Sequence, residues 1–244
     1  MTLEVDRIIE GDCLAVMRGW PDACVDMIFC DPPYGIRKAE WDGRDRHHDW
    51  RWLDEAARLL KPSGSFYMCW SCRYIPVAQP HVERLLNLRN LLVWNYRNGV
   101  APRASDQYAI TWEAVFFATK GRGKRKIFRD FDRIGDNFDV WVIPVPQNTA
   151  TDKTRKLHPC QKPIRLMQKA ILASSFGGDV VLDPFCGSGS TCVAAQALGR
   201  HYIGIELDPA YAEMARLRIA GKKPIKDVDE AALPLFAGME SDNG

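Results

Sequence analysis

The chain has 244 residues, 46% of them hydrophobic and 26% charged, with a formal net charge of +2. That length can bury one large α/β core, and the composition excludes collagenous, low-complexity and disulfide-scaffold classes. No apolar run approaches bilayer-spanning length, and the opening Met1-Thr2-Leu3-Glu4-Val5-Asp6 lacks the charged-then-apolar build of a signal peptide.

Charge is unevenly placed. Residues 226–244 carry one Lys against three Asp and two Glu, a net of −4, which leaves +6 on residues 1–225. A basic body with an acidic, frayed tail is compatible with nucleic acid. The eight cysteines scatter through apparent strands and one loop, the pattern of reduced thiols in a cytoplasmic setting.

In chain order, residues 3–36 read as strand, helix, strand, the second strand being the apolar run Val25-Asp26-Met27-Ile28-Phe29-Cys30. Residues 37–50 are charged, aromatic and aperiodic, a loop. Residues 52–60 have helical spacing and are stopped by Pro62-Ser63-Gly64. A strand is predicted over 65–70, a helix around 75–87, a strand over 91–95, a loop over 97–111 and a strand over 113–118. Residues 119–136 are basic and irregular, and 144–161 form a polar loop. A helix over 163–173 leads into Gly178-Asp179-Val180-Val181-Leu182-Asp183 and a glycine-rich loop. The next helix runs to Leu198 and stops at Gly199, a residue type favoured after helix ends. A strand over 201–205 ends in Glu206, and a helix over 209–219 follows. Strands alternating with helices predict a largely parallel, doubly wound α/β sheet that takes ligands at its carboxyl edge. Asp31, Asp183 and Glu206 all fall at that edge.

Two segments carry chemistry. Asp31-Pro32-Pro33-Tyr34 closes a buried strand. The Asp31 carboxylate can accept one N–H of a planar amine. The Pro32 carbonyl can accept the other, since proline brings no donor of its own. Tyr34 can stack on the ring that bears the amine. Gripping both hydrogens turns the nitrogen lone pair toward an electrophile. The second segment, Asp183-Pro184-Phe185-Cys186-Gly187-Ser188-Gly189-Ser190-Thr191, sits between strand and helix. The acid Glu206, 23 positions beyond Asp183, stands where a ribose diol is gripped in nucleoside-binding units. The third glycine of the dinucleotide fingerprint is missing, which suits a nucleoside cofactor better than one with a pyrophosphate.

Together these segments resemble the DNA amino-methyltransferases of the β group, in which the catalytic tetrad precedes the cofactor loop. The resemblance extends to Gly11-Asp12-Cys13, the 21–26 stretch, Leu59-Leu60-Lys61-Pro62-Ser63-Gly64-Ser65, Asn137-Phe138-Asp139-Val140-Trp141 and His158-Pro159-Cys160-Gln161-Lys162-Pro163, about nine-tenths of the chain. Cys160 departs from it, since Thr is more usual there. The resemblance implies a Rossmann-like methyltransferase fold in permuted order, with target-recognition insertions around 37–50, 97–111 and 119–157. It implies methyl transfer from S-adenosylmethionine to an exocyclic amine in double-stranded DNA after base flipping. Asp at the tetrad's first position points to adenine N6, and cytosine N4 is the alternative. Asp31, Pro32, Pro33 and Tyr34 are the implied catalytic residues. For the cofactor, the set is Asp12 and Cys13 beside its adenine, Lys162 on its carboxylate, and Asp183, Phe185, Cys186, Gly187, Ser188, Gly189, Ser190, Thr191, Glu206 and Leu207. A homodimer and a cognate restriction endonuclease are compatible with the resemblance.

Six of the ten residues from Lys120 to Arg129 are basic. Lys120, Arg122, Lys124, Arg125, Lys126 and Arg129 are therefore candidates for DNA phosphate contacts, against the alternative of a solvated hairpin tip. No metal site is expected. Cys69-Trp70-Ser71-Cys72 closes a strand rather than opening a helix, and His47, His48 and His158 form no ligand pattern. Rival readings are the same chemistry on RNA or a protein glutamine, and a catalytically silent subunit that binds cofactor and nucleic acid.

Overall fold

A computed structural model describes residues 3–33, 49–96, 108–121, 134, 137–145 and 161–221. The predicted positions Tyr34, Arg122, Lys124, Arg125, Lys126 and Arg129, most of the three insertions and the acidic tail lie outside the described residues. The first half comprises β1 (Arg7–Glu10), α1 (Cys13–Arg18), β2 (Val25–Cys30), α2 (Arg51–Leu59), β3 (Leu60–Trp70), α3 (Ile75–Leu85) and β4 (Asn87–Asn95). The second comprises β5 (Trp112–Thr119), β6 (Val140–Val142), α4 (Ile164–Ser174), β7 (Val180–Asp183), α5 (Ser190–Ala197), β8 (His201–Glu206) and α6 (Pro209–Ile219).

The strands form one sheet in the order β1-β8-β7-β2-β3-β5-β4-β6. Among the described strands only β5 runs antiparallel to its neighbours, β3 and β4. The central strands are apolar on both faces because helices cover both, which is why β2 reads as an unbroken apolar run. Met27, Phe29, Tyr67, Cys69 and Phe117 pack on one face with Leu166, Met167, Ala170 and Ile171 of α4. The alternate residues Ile28, Cys30, Phe66, Met68 and Phe116 pack on the other with Leu53, Ala56 and Ala57 of α2 and with Val82 of α3. No described helix is long and apolar enough to cross a membrane.

Several elements depart from the sequence expectation, among them β4, which begins at Asn87 rather than at Leu91. β3 begins at Leu60 rather than at Ser65, and its pairing with β2 slips between Val25↔Leu60 and Met27↔Ser65. The stretch expected as a turn is thus an irregular strand entry that accommodates Pro62. Gly64 is required there, since a Cβ would fall 2.5 Å from the Leu60 side chain, and Lys61 anchors the entry through two 2.8 Å bonds to Asp26. The helix expected around 75–87 ends at Leu85, because Leu86 is already extended and Asn87 opens β4. Within the 119–157 insertion, β6 joins the sheet by parallel pairing of Trp94↔Trp141.

Candidate active site

Parallel strand order carries the ends of β2, β7 and β8 to one edge, and the reversed direction of β5 brings its beginning to the same edge. Trp70, the last residue of β3, pairs with Ala114, so Glu113 of β5 lies level with the residues that follow β2. Asp31 stands there, directly after Cys30. Its Oδ2 accepts a 2.7 Å hydrogen bond from Lys162 Nζ. The same ammonium lies 3.1 Å from Glu113 Oε2, and the lysine side chain is only 8% exposed. Burial works against the lysine's charge, but the two carboxylates outweigh it and hold the ammonium well above its ordinary pKa. The nitrogen also lies 5.7 Å from the centre of the Trp94 ring. Burial pushes the neighbouring Cys30 and Cys69 thiols well up, so both stay neutral.

The other end of the edge is built from β7, the glycine loop, α5 and β8. Asp183 is buried, its Oδ1 accepts from the Phe185 N–H at 3.0 Å, and burial pushes its pKa up to about 7. The loop is tied across β8 by Cys186 N donating to Ile205 O at 2.9 Å. Gly189 adopts φ 81, and a Cβ there would meet Ala215 of α6 at 2.9 Å, so the turn needs glycine for both its conformation and its contact. Glu206 closes the arrangement: Oε2 accepts from Gly187 N at 2.8 Å and Oε1 from Asp208 N at 2.9 Å. Burial raises its pKa as well. From α6, Arg218 Nη1 donates to Ser188 O at 2.5 Å and to Ser188 Oγ at 2.8 Å, fixing the loop from behind.

A cavity of about 320 Å³ runs between these two ends. Asp31, Pro33 and Lys162 line it on one side, and Asp183, Phe185, Cys186, Gly187, Ser188, Ser190, Thr191, Glu206 and Leu207 on the other. Asp12 and Cys13 also face it, although the Asp12 carboxylate caps α1 by accepting from Ala15 N at 2.9 Å. Gly189 supports the loop without lining the cavity, and Pro32 is buried at the end of β2. Lys120 is not brought to the site. Thr119 pairs with Ser65 at the opposite end of the sheet, and Lys120 Nζ donates to the Ala57 carbonyl at 2.7 Å. Sequence reasoning missed Glu113, whose only signal is an acid opening an apolar run. It also missed Arg218, which reads as an ordinary basic residue in a last helical turn.

The shared cavity sets Asp31 and Glu206 at the carboxyl edge of a mostly parallel, doubly wound sheet, the place where such folds take their ligands. The chain belongs to the DNA methylase family of N6 and N4 amino-methyltransferases, whose model matches residues 25–217, from the first residue of β2 into α6. It is 29% identical over 246 residues to the type II methyltransferase M2.MboI of Moraxella bovis, covering 90% of this chain and 89% of that one. It resembles the crystal structure of the M1.HpyAVI–SAM complex with a TM-score of 0.70 and 25% identity, over 87% of this chain and 98% of that one. The cytosine-N4-specific PvuII DNA methyltransferase shares its fold, with a TM-score of 0.74 at 18% identity over 94% of this chain and 89% of that one.

Proposed function

We propose that this chain transfers a methyl group from S-adenosylmethionine to the exocyclic N6 amine of adenine in double-stranded DNA. The observation that carries the reading is the placement of Asp31 and Glu206 on one cavity, the first anchored by Lys162 and the second by backbone N–H groups. A similar solved structure is described as a complex with this cofactor.

The residues present fit such a cofactor. A carboxylate has about four lone-pair directions, and the two bonds that Glu206 accepts leave capacity for a ribose diol. Leu207, 46% exposed, and Phe185 both line the cavity and give it apolar surface that a nucleobase would cover. When bound, the cofactor supplies an electrophilic methyl carbon on a sulfonium. The protein's part is alignment and exclusion of water. Asp31 and the Pro32 carbonyl accept the two amine hydrogens, which turns the nitrogen lone pair out of the ring plane. Asp31 then stabilises the positive charge that develops on nitrogen as the C–N bond forms and the C–S bond breaks. The electron pair of the broken bond leaves with a neutral thioether, and the surplus amine proton passes to solvent. Tyr34 stacks on the flipped base. The Asp at position 31 supports adenine over cytosine. Arg122, Lys124, Arg125, Lys126 and Arg129 contact phosphates, and Lys120, turned onto Ala57, is not among them.

The test uses unmethylated bacterial genomic DNA incubated with labelled cofactor, digested to nucleosides and resolved by mass spectrometry. N6-methyladenine is the expected product. N4-methylcytosine would move the reaction to the other base, and no incorporation would refute the assignment.

A further inference from the structure

We propose that Lys162, itself held by Glu113, is a positioning residue for Asp31, and so governs the rate of methyl transfer rather than cofactor affinity. The proposal rests on the reading of Asp31 given above. Three separate parts of the chain converge at this point: the end of β2, the start of β5 and the residue before Pro163, where α4 begins. One ammonium serves both acids, at 2.7 Å from Asp31 and 3.1 Å from Glu113. Side-chain exposures of 8% for the lysine, 20% for Asp31 and 14% for Glu113 leave little water to replace either contact. A cation so placed is committed to the groups it touches, and those groups belong to the protein.

The geometry has a directional consequence. A carboxylate rotates easily about its last bond unless one oxygen is held. With Oδ2 engaged by Lys162, the plane of the Asp31 carboxylate is set and Oδ1 keeps one bearing relative to the cavity. Glu113 is a second anchor for the ammonium, so its position does not depend on Asp31 alone. Pro163, the next residue, adopts φ −68 and ψ 134, so the backbone leaving Lys162 toward α4 is preset. The trio carries a net charge of about −1, from one ammonium and two carboxylates. That sign favours a nitrogen becoming positive in the transition state. A lysine devoted to the cofactor's carboxylate would show its effect in binding instead.

The experiment uses the full chain with two readouts: calorimetric affinity for S-adenosylmethionine, and single-turnover transfer at saturating labelled cofactor on unmethylated genomic DNA. Lys162→Met should slow transfer about a hundredfold, the scale of a misplaced reacting group. Its cofactor dissociation constant should stay within about twofold, as for sites without shared partners. Lys162→Arg, which keeps the charge and can reach both acids, should recover most of the rate. If Lys162→Met fails to fold because two acids are left buried together, Lys162→Met/Glu113→Gln carries the test, with one acid remaining. Slow transfer with unchanged affinity in that variant supports the proposal. Wild-type transfer at saturating cofactor, or a loss confined to affinity, overturns it. A wild-type chain that transfers no methyl to this DNA overturns instead the reading of function, and the proposal with it.

Discussion

Glu206 and Asp31 stand on the same cavity, yet their charges are held in different ways. Glu206 is fastened by backbone N–H groups of Gly187 and Asp208, no more than 19 positions away in the chain. Asp31 is fastened by a side-chain ammonium 131 positions away, shared with Glu113 from a third strand. Backbone donors are placed by the fold itself and hold an acceptor ready for a ligand. A side-chain trio can be tuned residue by residue, which suits a group whose orientation sets a rate. On the proposed reading, this difference divides one edge into a binding end at Glu206 and a reacting end at Asp31.

The largest effect that sharpens this separation is expected at Asp31. Asp31→Ala should transfer methyl at least about a hundredfold more slowly in single turnover, the scale of one lost transition-state partner. Affinity for S-adenosylmethionine should remain. Asp31→Ser, which keeps an acceptor, should retain more activity than Ala.

The next effect lies at the binding end. Arg218→Met removes the donor that fixes Ser188 from behind while keeping most of the stem's volume. A charge-assisted bond is worth about 1.5–3 kcal/mol, so cofactor affinity should fall by about tenfold with the rate at saturation preserved. Calorimetry and single-turnover titration on the same preparation check both halves.

The last effect concerns pH and Asp183, the buried acid that ends β7 within the binding end. Burial raises Asp183 from an ordinary value of 3.8 to about 7. A raised carboxyl contributes stability that is fully present below pH about 4 and is lost as pH rises through about 7. Thermal unfolding without cofactor should therefore show the wild-type Tm falling over that window relative to Asp183→Asn. Parallel profiles for the two proteins would show that Asp183 does not carry the dependence.

The binding end was legible in the sequence because its parts are contiguous. Strand, glycine loop, helix and acid lie within residues 178–206, and each signal is local. Asp31 was legible for the same reason, as an acid followed by two prolines after an apolar run. Glu113 was not, because only the strand order β2-β3-β5 brings it to Asp31, and nothing beside it in the chain announces that neighbour. Lys162 is legible as a site residue, but the resemblance implies a cofactor carboxylate as its partner, whereas its ammonium bonds to Asp31. In the fold, β6 escaped notice because three residues are too few for alternation to show, and β3 was shortened because Pro62-Ser63-Gly64 carries the chemistry of a turn. Lys120 was grouped with its basic neighbours by proximity in sequence, while the end of β5 places it at the far end of the sheet.

The most direct measurement of the separation is a titration of single-turnover rate against cofactor concentration for Glu206→Ala. Losing a charged partner of two hydroxyls should weaken apparent affinity by about ten- to a hundredfold. The rate at saturation should return to that of the wild-type chain, because Asp31, Lys162 and Glu113 are untouched. A saturating rate as low as that of Asp31→Ala, or an affinity equal to that of the wild type in a folded variant, would contradict the division of the edge into a binding end and a reacting end.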